Sequence, residues 1–363
     1  MPPTRRLFVL SFIAACGSSS SQMDASPGGD AVTDDADGVC MPGVAPARRP
    51  PLDMYVVFDR TASMQDAVAG GTKLSSAVAA INAFAMQPTE NDVAMGLAFF
   101  GKPQPITCPV ICADDTACGA GCGPCNLVGT GIGTCAGANN VVCEASAYAD
   151  PDVELMAIPD AAPVLATALA MVAPDGSTAT TLAIEGAFAY LSAWAQAHLD
   201  RVPTIVLLTD DGPNACGDTL EMLTAAVAAG LGAEPNMLTH VVTYTQDGTL
   251  EPVAIAGGTA LPYEIPSGGD PAATVFAALE EITRRSRACT YAAPAATAAV
   301  ELLYTPPGAS DPTEIPNVAD RGACTVDGGW YSLAGRSQLQ LCPATCDTVE
   351  LTPGGTLELR SQC

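Results

Sequence analysis

The stretch "VVFDRTASMQD", residues 56–66, decides how the rest of the chain is interpreted. Its apolar run predicts a buried strand that ends at Asp59, and two hydroxyl side chains, Thr61 and Ser63, follow at alternate positions. One interpretation is a polar turn that caps a helix. The other is a cation site lined by oxygen atoms. Because both interpretations fit this stretch alone, the choice depends on other segments.

Strand-like and helix-like segments alternate along much of the chain. Strand patterns occupy residues 53–59, 92–101, 203–211, 238–245 and 260–266. Helical patterns occupy residues 73–86, 161–173, 181–199, 218–231, 249–258 and 270–287. The continuous apolar run in "PTIVLLTDD" is typical of a central parallel strand that is covered on both faces. The alternation therefore predicts an α/β fold, a doubly wound, mostly parallel sheet flanked by helices.

Residues 101–150 interrupt this alternation. They contain seven cysteines between Cys108 and Cys143 and show no hydrophobic period, so we expect an insertion stapled by disulfides. Because seven is odd, one of these thiols needs a partner elsewhere, and Cys216 and Cys40 are the candidates. The "CGAGCGPC" run also has the C-x-x-C spacing of zinc sites, but in an exported chain with few histidines disulfides are favoured.

The last part of the chain, residues 289–363, is Pro-rich and strand-like and contains five more cysteines. We expect a small β module stapled by disulfides there. The predicted organisation is a signal peptide with a lipobox cysteine at 1–16, a flexible linker at 17–48, an α/β domain at 49–288 and this module. The linker is mostly Ser, Gly, Asp and Pro, a composition that cannot offset the entropy cost of ordering the chain.

The N-terminus has the features of a secretory signal peptide. Arg5 and Arg6 precede an apolar run at 7–15 that is too short to span a membrane. The run ends in "IAAC", which resembles the lipobox of bacterial lipoproteins and implies cleavage before Cys16 and a lipid on that residue. Gly17 after the cysteine resembles the outer-membrane pattern. We expect a lipid-anchored protein of the bacterial cell envelope, at the outer membrane; an ordinary signal peptide that contains a cysteine is the alternative.

The charge balance excludes one large class of partner. The chain has 14 Lys and Arg against 39 Asp and Glu, which gives a formal net charge of −25. Such a chain repels nucleic acid, because nucleic-acid recognition requires a basic surface. An acidic surface is compatible with cation binding but does not establish it.

Three segments carry hydroxyls or acids at the predicted carboxyl ends of strands, where sheets of this kind bind ligands. They are the opening stretch, "GSTAT" at 176–180 and "LLTDD" at 207–211. Together they resemble the von Willebrand factor type A domain and its metal-ion-dependent adhesion site, over residues 50–287. That site combines D-x-S-x-S, a loop threonine and a strand-end aspartate. The metal ligands that the resemblance implies are Asp59, Thr61, Ser63, Thr178 and Asp210.

The chain departs from the family pattern at several positions. Thr61 stands where the family has serine, so it keeps the hydroxyl but adds a methyl group that restricts χ1. An extra acid, Asp211, follows the strand-end aspartate, and Thr180 and Thr181 are alternatives to the loop threonine. Asp66 lies one helical turn beyond the first motif, and we expect it at a helix start, where an acid meets the helix dipole.

The resemblance implies a bound dication, Mg²⁺ first, with Ca²⁺ and Mn²⁺ as alternatives. Two hydroxyls and one or two carboxylates leave such an ion under-neutralised, with at least one open coordination position. A carboxylate of a protein or surface partner can fill that position. The implied function is therefore adhesion or interaction through the metal. The alternatives are a structural envelope protein whose metal site is idle and a metal-dependent hydrolase.

The sequence offers little support for catalysis. The two histidines, His198 and His240, lie near the end of an apolar helix and at the entrance of a strand, positions typical of a structural role. The G-x-S-x-G, H-E-x-x-H and G-x-x-x-x-G-K-[ST] motifs do not occur. We therefore expect a binding protein and not an enzyme.

Overall fold

The computed structural model describes residues 43–362, apart from 89–91, 105–106, 130, 140, 294–298 and 334. The predicted signal peptide with Cys16 and most of the predicted linker lie outside the described residues, as do Cys40 and Cys363. Within the described ranges, no helix has both the length and the apolar character needed to cross a membrane.

Strands and α-helices follow one another through residues 52–286, and short strands dominate after residue 289. The strands are β1 (Gly43–Pro46), β2 (Leu52–Asp59), β3 (Ala67–Val68), β4 (Gly71–Thr72), β5 (Val93–Phe100), β6 (Cys125–Val128), β7 (Ile132–Cys135), β8 (Val153–Ala157), β9 (Val202–Thr209), β10 (Leu238–Thr243), β11 (Tyr263–Glu264), β12 (Thr290–Ala292), β13 (Ala299–Thr305), β14 (Thr313–Ile315), β15 (Trp330–Ser332), β16 (Gln338–Leu341) and β17 (Thr356–Gln362). The α-helices are α1 (Lys73–Ala85), α2 (Asp115–Cys118), α3 (Ala162–Met171), α4 (Thr180–Ala197), α5 (Leu220–Leu231), α6 (Glu251–Ala256), α7 (Pro271–Ser286) and α8 (Pro343–Leu351). Short 3-10 helices lie at Ala62–Gln65, Ala136–Asn139, Ala145–Tyr148 and Arg321–Ala323.

A six-stranded sheet in the order β11-β10-β9-β2-β5-β8 forms the centre of the first domain. Its strands are parallel except for β8. All residues of β2 and β5 are buried, because helices α1, α3 and α7 cover one face and α4, α5 and α6 cover the other. The continuous apolar runs of these strands follow from this double cover. The predicted doubly wound, mostly parallel α/β fold is confirmed.

The edge strand β8 is missing from the sequence-based prediction. It runs antiparallel to β5, and only Val153 and Leu155 of its five residues are buried, so it lacks the apolar run of a central strand. Gly96 of β5 permits its close approach. A Cβ at Gly96 would lie 3.1 Å from the backbone oxygen of Val153 and from the backbone nitrogen of Leu155.

The Cys-rich insertion contains α2 and the β6–β7 hairpin. Its internal disulfides are Cys108–Cys122, Cys112–Cys125 and Cys118–Cys135. The seventh cysteine, Cys143, bonds Cys216 in the loop after β9, which is one of the two partners expected from the odd count. The sulfurs of Cys112, Cys118 and Cys135 lie within 4.8 Å of one another, but each already belongs to a disulfide. The structure therefore supports a disulfide-stapled insertion and not a zinc site.

The C-terminal module is built on two small sheets, β1-β17-β13-β14 and β12-β16-β15. Cys289–Cys346 and Cys324–Cys342 staple it. Two features differ from the prediction. Strand β1 lies within the predicted linker 17–48, yet it pairs with β17, and helix α8 adds a helix to a module expected to be all β. With four residues, β1 is too short to show a strand pattern, and its partner lies at the far end of the chain.

Arg49 connects the module to the first domain. Its Nη1 donates to the backbone oxygen of Arg287, directly after α7, at 2.9 Å. Its Nη2 forms an ion pair with Glu350 of α8. The guanidinium carbon also lies 4.2 Å from the ring centroid of Tyr291 in β12. One side chain thus contacts the C-cap residue of the last helix of the first domain and two elements of the module.

Candidate metal centre

The predicted metal ligands begin at the carboxyl ends of two neighbouring strands. Asp59 is the last residue of β2, and Asp210 directly follows β9. These strands are adjacent and parallel, with Phe58 opposite Leu208, so their ends lie side by side. Both carboxylates are buried: Asp59 is fully inaccessible and Asp210 is 5% exposed.

A chain of hydrogen bonds joins four of the five predicted ligands. The backbone N–H of Thr61 donates to Oδ1 of Asp59 at 2.8 Å. The hydroxyl oxygens of Thr61 and Ser63 are 3.1 Å apart, and the Ser63 hydroxyl donates to Oδ1 of Asp210 at 3.0 Å. The structure therefore brings Asp59, Thr61, Ser63 and Asp210 into one oxygen-lined cluster.

The alternative, in which the opening stretch merely caps a helix, does not fit this geometry. A 3-10 helix at Ala62–Gln65 follows Thr61, but the Thr61 side chain makes no capping hydrogen bond to it. The first α-helix after the stretch is α1, and its cap is Thr72, which forms a reciprocal capping box with Ser75. The hydroxyls of the opening stretch are thus directed to each other and to Asp210.

Thr178 reaches the same edge of the sheet through its backbone. Its N–H donates to Oδ1 of Asn214 at 3.0 Å, and its carbonyl accepts from the Asn214 N–H at 3.0 Å. Within the described residues, no hydrogen bond joins the Thr178 hydroxyl to the other four predicted ligands. Thr180 and Thr181 are buried in the first turn of α4, and their hydroxyls lack hydrogen-bond partners among the described groups.

Comparison with known proteins found distant structural neighbours. No protein-family model matches the chain, and no curated protein matches it. A von Willebrand factor type A structure from Catenulispora acidiphila is 13% identical with a TM-score of 0.42, over 88% of this chain and 59% of that chain. The pilus adhesin SpaC of Lactobacillus rhamnosus GG is 12% identical with a TM-score of 0.41, over 88% of this chain and 41% of that one. Manganese-loaded TRAP protein of Plasmodium vivax is 12% identical with a TM-score of 0.35, over 60% and 66%.

The fold is von Willebrand factor type A-like. This description rests on the sheet order, on the single antiparallel edge strand among the six and on the helices that cover both faces. The description does not depend on the structural neighbours, whose TM-scores lie between 0.35 and 0.42. The chain spans 59% and 41% of the lengths of the first two structures.

The two buried carboxylates of the cluster, Asp59 and Asp210, require positive charge or hydrogen bonds to offset their burial. Burial, reinforced by the Asp210 carboxylate, raises the pKa of Asp59 to about 6. Hydrogen bonds oppose this rise, above all the one that the Thr209 hydroxyl donates to Oδ2 of Asp59 at 2.6 Å. Thr209 is absent from the predicted ligand set, and its place in "LLTDD" beside the strand-end aspartate is the signal for it.

Lys73 supplies positive charge at the site and was also absent from the prediction. Its Nζ lies 2.7 Å from Oδ2 of Asp210 and 2.9 Å from Oδ2 of Asp66. Burial acts to lower the pKa of Lys73, but these hydrogen bonds outweigh it, so the pKa is raised. The available signal was its rarity: the chain has only two lysines, and this one begins the helix after the motif.

The structure places two further acidic residues, Asp66 and Asp211, near the site. Asp66 lies elsewhere than expected, and Asp211 does not join the cluster. Asp66 was expected at a helix start, but it follows the 3-10 helix, and its backbone N–H donates to the Ser63 carbonyl. The hairpin β3–β4, with Gly70 at φ +84°, separates it from α1. Asp211 is exposed, and its carboxylate accepts from the Gly212 N–H at 2.7 Å, so it belongs to the turn after β9.

The donor set suits a hard dication. Mg²⁺ takes six oxygen ligands at about 2.1 Å, and Ca²⁺ takes more at longer distances. The carboxylates of Asp59 and Asp210 and the hydroxyl of Ser63 would hold such an ion. Thr61 lies within the same hydrogen-bonded cluster, and Thr178 lies at the same edge of the sheet. Bound there, a dication would supply charge to neutralise the two acids and an open position for an outside oxygen ligand.

Proposed function

We propose that this protein is a cell-envelope lipoprotein whose type A-like domain binds a divalent cation and, through it, an acidic group on a protein or surface partner. The observation that carries the proposal is the hydrogen-bonded cluster at the sheet edge. Two buried carboxylates, Asp59 and Asp210, are linked there through two hydroxyls. Mg²⁺ is the proposed ion, with Ca²⁺ and Mn²⁺ as alternatives.

The charge of the chain supports a metal-dependent mode of binding. A chain with a net charge of −25 repels an acidic partner unless a cation stands between them. A dication held by two carboxylates and neutral hydroxyls would keep a coordination position open for a further carboxylate. The proposed role is therefore recognition and not catalysis, with the carboxylate of the partner as an additional metal ligand.

The metal proposal is tested by following the melting temperature of the purified protein while Mg²⁺, Ca²⁺ or Mn²⁺ is added. An ion at 100 times its dissociation constant stabilises the native state by about 2.7 kcal/mol. Asp59→Asn and Asp210→Asn, which keep the side-chain shape, should remove this stabilisation. Asp211→Asn is the matched control, since the Asp211 carboxylate is exposed and bonded to Gly212. A wild-type protein that none of the three ions stabilises would contradict the proposal.

One observation favours a second candidate, a structural envelope protein with an idle metal site. The Lys73 ammonium already neutralises part of the charge of Asp210. If that contact is permanent, the cluster needs no dication. The same titration separates the two candidates, because an idle site gives no metal-dependent stabilisation in the wild-type protein.

A further inference from the structure

Lys73 places an ammonium group on the carboxylate that we assign to the dication. One oxygen of Asp210 accepts from Lys73 at 2.7 Å, and the other accepts from Ser63 at 3.0 Å. The Asp210 side chain is 1% exposed and that of Lys73 is 18% exposed. Water therefore screens this charge pair only weakly.

A dication and this ammonium group compete for the same carboxylate. An ion at ligand distance from Asp210 would stand a few ångströms from Nζ of Lys73, and like charges so close together repel strongly in a buried site. We propose that Lys73 is a built-in counter-cation that holds Asp210 in the metal-free protein and leaves it when a dication binds. This inference rests on the proposed function and names the residue that sets the affinity of its site.

Asp66 gives the displaced ammonium group a place to go. Its carboxylate is 66% exposed and already accepts from Lys73 at 2.9 Å. The backbone N–H of Lys73 also donates to the Asp66 carbonyl at 3.1 Å, which fixes the two residues relative to each other. Only the lysine side chain has to move, from a position shared between two acids to one beside Asp66 alone.

Two consequences follow from this exchange. Removing the lysine charge should tighten dication binding, because the ion no longer displaces a competitor. The same change should destabilise the metal-free protein, because Asp210 is left buried without a positive partner. If the ion pair only joins α1 to the sheet, removing the lysine charge should destabilise the metal-free protein without tightening dication binding.

The test compares Lys73→Gln with the wild type by calorimetric titration of Mg²⁺ and by melting in EDTA. Lys102→Gln is the matched control: it removes the other lysine of the chain, whose Nζ lies 3.3 Å from Asp152. We expect Lys73→Gln to bind Mg²⁺ about tenfold more tightly or better, the scale on which one neighbouring charge shifts an ionic equilibrium. It should also melt at a lower temperature in EDTA, and Lys102→Gln should bind Mg²⁺ as the wild type does.

The outcomes separate this inference from the proposed function. Tighter Mg²⁺ binding by Lys73→Gln than by the wild type supports the inference. Binding by Lys73→Gln alone would also support Lys73 as the competitor, but it would contradict the proposed function of the wild-type protein. Equal or weaker binding by Lys73→Gln, with a wild type that binds, overturns the inference and leaves the metal site standing. If neither protein binds any dication, the proposed function and the inference both fail.

Discussion

Thr61 shows how the site accommodates one extra methyl group. Where the type A pattern has serine, the Cγ2 of Thr61 extends toward Gly101, directly after β5. A Cβ at Gly101 would lie 2.9 Å from this methyl carbon, and the φ of +76° also favours glycine. The extra methyl group is thus matched by a small residue at the neighbouring strand end, and the hydroxyl of Thr61 lies beside that of Ser63.

His240 illustrates a buried titratable side chain outside the metal cluster. It lies in β10, and its Nε2 is 3.0 Å from the Ser286 hydroxyl in α7. Its Nδ1 has no hydrogen-bond partner among the described groups. Burial first, and the charge of Arg285 second, lower the pKa of His240 to about 4 from its ordinary value of 6.5.

This shift predicts a loss of stability in acid. Between pH 6.5 and 4, His240 is protonated in the unfolded chain but stays neutral in the folded protein. The free energy of unfolding therefore keeps the contribution of His240 above pH 6.5 and loses it as the pH falls toward 4. We expect His240 to account for a loss of about 3 kcal/mol between pH 7 and 4. Urea unfolding at both pH values, with His240→Gln beside the wild type, measures it. Equal pH dependence in the two proteins would assign the acid sensitivity to other groups.

At the scale of elements, the loop after β9 joins the metal cluster to the Cys-rich insertion. The loop begins with Asp210, and its Asn214 holds the backbone of Thr178. Cys216 then bonds Cys143 of the insertion. A Cβ at Gly217 would lie 3.2 Å from Oδ1 of Asn126, so β6 packs closely against the same loop. The insertion thus acts as a brace for the loop that supplies the strand-end aspartate.

Removing this brace should affect both stability and metal binding. The double variant Cys143→Ser/Cys216→Ser opens a disulfide with a sequence separation of 73. We expect it to lower the free energy of unfolding by about 2–5 kcal/mol and to weaken dication affinity, because the loop loses its attachment. Denaturant unfolding and Mg²⁺ titration measure the two effects. The control is Cys118→Ser/Cys135→Ser, which opens a disulfide within the insertion and should leave dication affinity unchanged. If the control variant loses as much dication affinity, the attachment of the loop after β9 has no special role in metal binding.

At the scale of the whole molecule, the first described strand belongs to the last module. Strand β1 pairs with β17, with Gly43 opposite Ser361, before the chain enters β2 of the central sheet. Under the proposed function, a chain anchored through Cys16 would reach strand β1 of the C-terminal module before the type A-like domain. Strand β1 is the one described element of the module that lies between the proposed anchor and the type A-like domain along the chain.

The anchor is tested in cells by Cys16→Ser. Without the thiol that would carry the lipid, we expect the protein to move from the membrane fraction to the soluble fraction, because a single lipidated residue provides the proposed attachment. Fractionation followed by immunoblotting measures the distribution. Asp210→Asn, which changes only the metal cluster, should stay with the membranes. A Cys16→Ser protein that also stays there would contradict the lipobox interpretation.

Much of the type A-like domain follows from local sequence signals. Apolar runs mark the strands, helical spacing marks the helices, and the three polar segments fall at strand ends where parallel strands meet. The odd number of cysteines in the insertion indicated an outside partner, and the structure then chose Cys216 over Cys40. These features depend on short stretches of chain and on simple counting, so the sequence by itself determined them.

Other features depend on contacts between distant segments, and only the tertiary structure decided them. The half-exposed β8 becomes a strand because β5 offers it an edge, and β1 becomes one because β17 does. Lys73 and Asp210 are 137 residues apart, and nothing in their local sequences pairs them. Their contact exists because α1 begins at the edge where β9 ends, which places a cation from one segment on the buried acid of another.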